Sequence, residues 1–105
     1  AGATVGIATC TSGKKVYIKS IIAHASAAGV NTATGQVYFT QAGVTTGATT
    51  RIFDVDILAG ETVLIEPSYP IVLAENGDTL AVGTGNVAGL AATHVNFMIT
   101  GDKEA

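Results

Sequence analysis

The chain has 105 residues, a single Cys, a formal net charge of −3 and only five Lys plus Arg. That length suits one domain. One Cys excludes an internal disulfide framework and a thiolate zinc site, and so few cations argue against a nucleic-acid groove. At 48% hydrophobic the chain is not of the disordered class. It holds no apolar run long enough to span a bilayer as a helix, and no basic start followed by an apolar stretch.

Thr, Val and Ile supply 35 residues and Gly 13 more. β-Branched side chains fit a pleated, half-buried surface and crowd a helix, so the expected class is all-β. Segments of β-type residues alternate with Gly, Asn, Ser and Pro, and strands are predicted near 3–10, 14–24, 35–41, 50–58, 61–66, 70–74, 78–84 and 92–100. Eight short strands at this spacing predict a single domain, an eight-stranded antiparallel β-sandwich, with a jelly roll as the expected form.

Taken in chain order, the second strand sets Val16, Ile18, Ser20 and Ile22 on one face, and Lys15, Tyr17, Lys19 and Ile21 on the other. The lysines mark the second face as outer, which makes the apolar Tyr17 and Ile21 candidates for a subunit contact. In 50–58, Phe53, Val55 and Ile57 oppose Asp54 and Asp56. In 92–100, Val95, Phe97 and Ile99 oppose His94, Asn96, Met98 and Thr100. The expected core is therefore Ile18, Ile22, Phe53, Val55, Ile57, Leu80, Val95, Phe97 and Ile99. Ala59-Gly60 and Asn76-Gly77-Asp78 read as turns, and Pro67 and Pro70 bracket a kink suited to a strand edge or a crossing between sheets.

Groups able to carry chemistry are sparse. His24 and His94 lack the spacing of metal ligands, and structural hydrogen bonding is the expected role of both. Asp54, Asp56 and Glu61 surround one turn, but no calcium loop follows; solvated carboxylates, or partners for Arg51 or a lysine, are the expectation. Cys10 has no histidine near it in sequence and reads as a small buried hydrophobe. No catalytic residue, metal or cofactor is expected, and no enzyme activity.

Only 12% of residues are charged, about half of the roughly 25% usual in soluble domains. Protein–protein interface cores are depleted in charge, so much of this surface is expected to meet other subunits. The loops 25–34, 42–50 and 85–91 hold no charged residue. They supply the further contact candidates Val30, Asn31, Val44, Asn86, Val87 and Leu90.

The order of phrases adds a resemblance. Lys14-Lys15-Val16-Tyr17-Ile18-Lys19-Ser20-Ile21-Ile22-Ala23-His24 is followed by Gly35-Gln36-Val37-Tyr38-Phe39 and then by Ile52-Phe53-Asp54-Val55-Asp56-Ile57-Leu58-Ala59-Gly60-Glu61-Thr62. Pro70-Ile71-Val72-Leu73 and Asn76-Gly77-Asp78-Thr79-Leu80 come next, before a closing strand through Ile99. Over about 14–100 this resembles small virion structural proteins of tailed bacteriophages, although members often carry Asn where His24 stands. The resemblance implies a jelly-roll or related sandwich serving as a head-decoration, neck or tail-associated protein, and brings no catalytic residues. The function expected is capsid decoration (cement): a homotrimer at three-fold or quasi-three-fold positions, binding the major capsid protein of the assembled head. A neck, tail or fibre component is the alternative, as is a carbohydrate-binding or host-adhesion module. Neither nucleic acid nor membrane is an expected partner. Ala1 suits a start left by removal of an initiator Met, in keeping with assembly in the host cytoplasm.

Overall fold

The computed structural model describes residues 4–26, 33–58, 60–85 and 95–104. Eight strands form: β1 (Thr4–Thr9), β2 (Val16–Ala25), β3 (Ala33–Thr40), β4 (Arg51–Ile57), β5 (Thr62–Ile65), β6 (Ile71–Leu73), β7 (Thr79–Gly85) and β8 (Val95–Lys103). A 3-10 turn, Ala48–Thr50, precedes β4. All described pairings are antiparallel. The first sheet runs β1-β7-β3-β4. In the second, β8 lies on one side of β2, and β5 and β6 follow each other along its other side. The fold is thus the all-β sandwich of two antiparallel sheets that composition and spacing predict.

The pairs nest. β3 pairs with β4, β2 with β5 and β6, and β1 with β7, as in one long hairpin rolled up, with β8 added beside β2. Pro67 and Pro70 interrupt the outer arm of this hairpin at an edge. Both strands flanking them stay in the same sheet, so the kink is not a crossing.

Two tight turns need positive φ. Between β1 and β2, Ser12 (φ 56°) and Gly13 (φ 69°) sit between the bridged residues Thr11 and Lys14, the two-residue geometry whose twist matches a hairpin. Gly77 (φ 96°) closes the turn in which the Asp78 N–H donates to the Glu75 carbonyl.

The core lies between the sheets. Cys10, Ile18, Ile21, Val37, Leu73, Leu80 and Val82 form its main cluster, and Ala23, Ala25 and Ile57 a second one beside it. Of the residues predicted for the core, Ile18, Ile57 and Leu80 are fully buried. Phe53, Val55, Val95, Phe97 and Ile99 are half-buried and pack against the clusters from their rims. Cys10 is buried as expected, its thiol donating to the Lys14 carbonyl at 3.1 Å.

Two assignments in β2 are corrected. Ile21 is 1% exposed and belongs to the core; Ile22 is the half-exposed outer residue. The cause is a β-bulge. Ile18 pairs with Gly101 and Ser20 with Thr100, so Lys19 is an extra residue with no partner on β8. An extra residue reverses the facing of everything after it. Val16 and Ile18 face inward before the bulge; Ile21, Ala23 and Ala25 face inward after it. Strict alternation therefore holds only as far as Lys19.

Candidate functional surface

The reversal at Lys19 builds the outer face of the second sheet. Ile22 is placed outward, directly between Leu64 on β5 and Met98 on β8. Leu64 and Met98 are each 55% exposed. Directly opposed side chains have Cβ atoms about 5 Å apart, so the three residues form one unbroken apolar row across the sheet. Hydroxyl and amide groups flank the row. On one side, His24 stands between Thr62 and Asn96, and its Nδ1 is 2.8 Å from Thr62 Oγ1. On the other, the hydroxyls of Ser20 and Thr100 are hydrogen-bonded. Farther along, Tyr17 lies between Val72 and Asp102, and Lys19 pairs with Asp102 at 2.5 Å. That ion pair is exposed, so it adds little stability, and it neutralises Lys19 and Asp102 only.

Tyr17 is half-buried on this outer face, as expected, while Ile21 is absent from it. Val44, 48% exposed, borders an open depression of about 330 Å³ with Phe39, Gln41, Thr50, Arg51 and Ile52. Val30, Asn31, Asn86, Val87, Leu90 and His94 lie outside the described residues. The uncharged composition of loop 42–50 has an internal cause. Thr40, 5% exposed, places its hydroxyl 2.8 Å from that of Thr46 and 3.3 Å from that of Thr50. The Thr50 hydroxyl in turn donates to the Gly47 carbonyl. These threonines satisfy one another and the backbone.

The acidic residues near β4 are each engaged. Asp54 pairs with Arg51 at 3.5 Å, Asp56 accepts from the Thr34 hydroxyl, and Glu61 Oε1 accepts from the Leu58 N–H. Among the described residues no group of three His, Cys, Asp or Glu side chains stands close enough to hold a metal ion. On the outer face of the first sheet, Tyr38 is only 3% exposed. Its hydroxyl donates to Gln36 Oε1 at 2.8 Å, and the Arg51 guanidinium lies 5.4 Å from the ring centroid, within cation–π range. The alternation of β3 would place Tyr38 in water; the arginine and glutamine cover it instead.

Asp78 closes the far end of the sandwich. Its Oδ2 accepts from the Glu75 N–H at 3.1 Å and its Oδ1 from the Ala42 N–H at 3.0 Å. The Asp78 carbonyl accepts from Cys10 N–H, and the Cys10 carbonyl accepts from Gly77 N–H. The Glu75 and Ala42 amides hold the Asp78 carboxyl below its ordinary pKa, against the opposing effect of burial. The carboxylate ties its own turn to the loop at Ala42, and the backbone of the same turn holds Cys10, a structural role.

Comparison with protein-family models, with curated proteins and with solved structures yields no match. No described helix is long and apolar enough to cross a membrane.

Proposed function

We propose that this chain is a structural protein of a phage virion, a decoration protein that seats on the assembled head and bridges neighbouring copies of the major capsid protein. The observation that carries this reading is the Leu64–Ile22–Met98 row, exposed on a sheet face edged by hydroxyls and one neutralised ion pair. Interface cores are apolar and poor in charge, with polar rims, and this face has that pattern. The resemblance over 14–100 supplies the class of partner. The role is mechanical and not enzymatic: binding only the assembled shell stabilises that state by mass action. The virion is the corresponding location.

The test is co-sedimentation of the purified chain with empty assembled heads and, in parallel, with unassembled shell subunits. Binding to heads alone is expected, with at least about tenfold weaker binding for Leu64→Asp, the cost of burying an unpaired carboxylate. Equal binding by Leu64→Asp, or no binding to heads, would sink the proposal.

A further inference from the structure

The sandwich has four kinds of sheet edge, and three carry a device that blocks pairing with another chain. On β1 the register shifts between Gly6 and Ala8, so Ile7 is an extra residue that disrupts the edge. On β4 it shifts between the partners of Val37 and Tyr38, leaving Ile52 extra, and Arg51, Asp54 and Asp56 add charge. The edge formed by β5 and β6 consists of strands of four and three residues, separated by a segment with Pro67 and Pro70. Bulges, charges, prolines and short strands are the means by which edges avoid pairing. The free edge of β8 has none of them from Val95 to Gly101. β8 is nine residues long and has no proline, and its only charges are at Asp102 and Lys103. The bulge opposite it belongs to β2. Among the described residues, no strand pairs with β8 on the side away from β2.

We propose that, in solution, two copies of this chain pair antiparallel through β8, edge to edge, about a two-fold axis normal to the second sheet. A second copy is the occupant the strand fits, for reasons of face and charge. Such an axis sets one residue against itself and sets residues equally distant from it against each other, so inward positions always meet inward positions. Full overlap of the nine residues centres the axis on Ile99. On the core side Phe97 then faces Gly101 of the other copy, an aromatic ring covering an edge glycine. On the outer side Met98 faces Thr100, and Asn96 faces Asp102, whose carboxylate can accept from the amide. No charged residue meets one of like sign: Asp102 faces Asn96 and Lys103 faces Val95. The new ladder satisfies the open backbone groups of both copies and sets the end of each Leu64–Ile22–Met98 row against the hydrogen-bonded Thr100 and Ser20 hydroxyls of the other. The pairing does not depend on the shell-binding reading.

Sedimentation equilibrium of the full chain between about 10 and 100 μM tests it. The expected mass is twice the 10.5 kDa of the chain. The double variant Met98→Lys, Thr100→Lys sets lysine opposite lysine at outward positions and is expected to sediment as one chain with an unchanged circular dichroism spectrum. Leu64→Asp, on the opposite edge, should keep the doubled mass. Wild-type hydrogen exchange offers a check that needs no variant: deuterium uptake in 95–103 should slow as concentration rises. A wild-type mass of one or three chains overturns the pairing. So does a double variant that stays paired, a Leu64→Asp variant that dissociates, or exchange in β8 independent of concentration.

Discussion

Adjacent isoleucines in β2 give the sharpest test of the bulge. Ile21→Ala removes three carbons from a side chain that is 1% exposed. At about 0.8 kcal/mol per buried methylene the transfer loss is about 2.4 kcal/mol. The cavity left between Ile21 and its core neighbours raises the total to about 3–4 kcal/mol, within the range for large-to-alanine changes in a packed core. Ile22→Ala takes the same atoms from a half-exposed outward position flanked by exposed Leu64 and Met98, and should cost about 1 kcal/mol. For a domain of this size each kcal/mol moves the melting midpoint by about 4–8 °C. Ile21→Ala should therefore lower it by at least about 12 °C, and Ile22→Ala by no more than about 8 °C. Thermal melts followed by near-ultraviolet circular dichroism of the tyrosines would measure both. Equal losses, or a larger loss for Ile22→Ala, would refute the reversal at Lys19, because uninterrupted alternation demands the opposite order.

The bulge also depends on the residue facing it: a Cβ on Gly101 would overlap the Tyr17 carbonyl oxygen and lie 3.2 Å from Ile18 Cα. Gly101→Ala should accordingly cost about 3 kcal/mol or more in a urea titration, since backbone cannot step aside as a flexible side chain does. At the β1–β2 turn, Ser12→Gly should raise stability by about 1 kcal/mol, because Ser12 holds a left-handed φ that costs a non-glycine residue roughly 1–2 kcal/mol; a lowered urea midpoint would contradict this. Asp78 sets an acid limit. Its folded pKa lies below the unfolded value of about 3.9, so its contribution is present above that value and is lost as pH falls through the folded pKa. The wild-type urea midpoint should drop below about pH 4, whereas Asp78→Asn should start lower at pH 7 and vary less with acid.

How much was legible before the structure depended on whether the signal was local. Strand existence was legible throughout, because β-branched runs and glycine or proline breaks are local features. Faces were legible in β4 and β8, where Asp54, Asp56, Asn96 and Thr100 mark the outer side. In β2 the lysines misled, since Lys19 is the bulged residue and marks no continuing face. Nothing in its neighbours announces the bulge; the signal is Gly101, the partner of the adjoining Ile18 and more than eighty positions away in sequence. Val37 and Leu73 escaped the core prediction because their strands carry no charged residue to fix the phase. The burial of Tyr38 was not legible, because it depends on Arg51 reaching across from β4. The apolar row required knowing that β5, β2 and β8 are neighbours, and pairing order is not a property of any one segment.

The nesting of strand pairs also bears on how quickly the chain reaches this fold. β3 and β4 are joined by ten residues, so their hairpin closes a short loop. β1 must find β7, with Thr4 opposite Gly83, and that ladder is reachable only after the segments between have been drawn together. Ring-closure entropy rises with the length of chain enclosed, and domains dominated by distant pairings fold in milliseconds to seconds, not microseconds. The order implied runs from the inside outward: the β3–β4 hairpin as the early seed, then β2 with β5 and β6, with β1 last onto β7. Until β1 arrives, the outer edge of β7 stands open, and a newly made chain is most vulnerable to wrong partners during that interval.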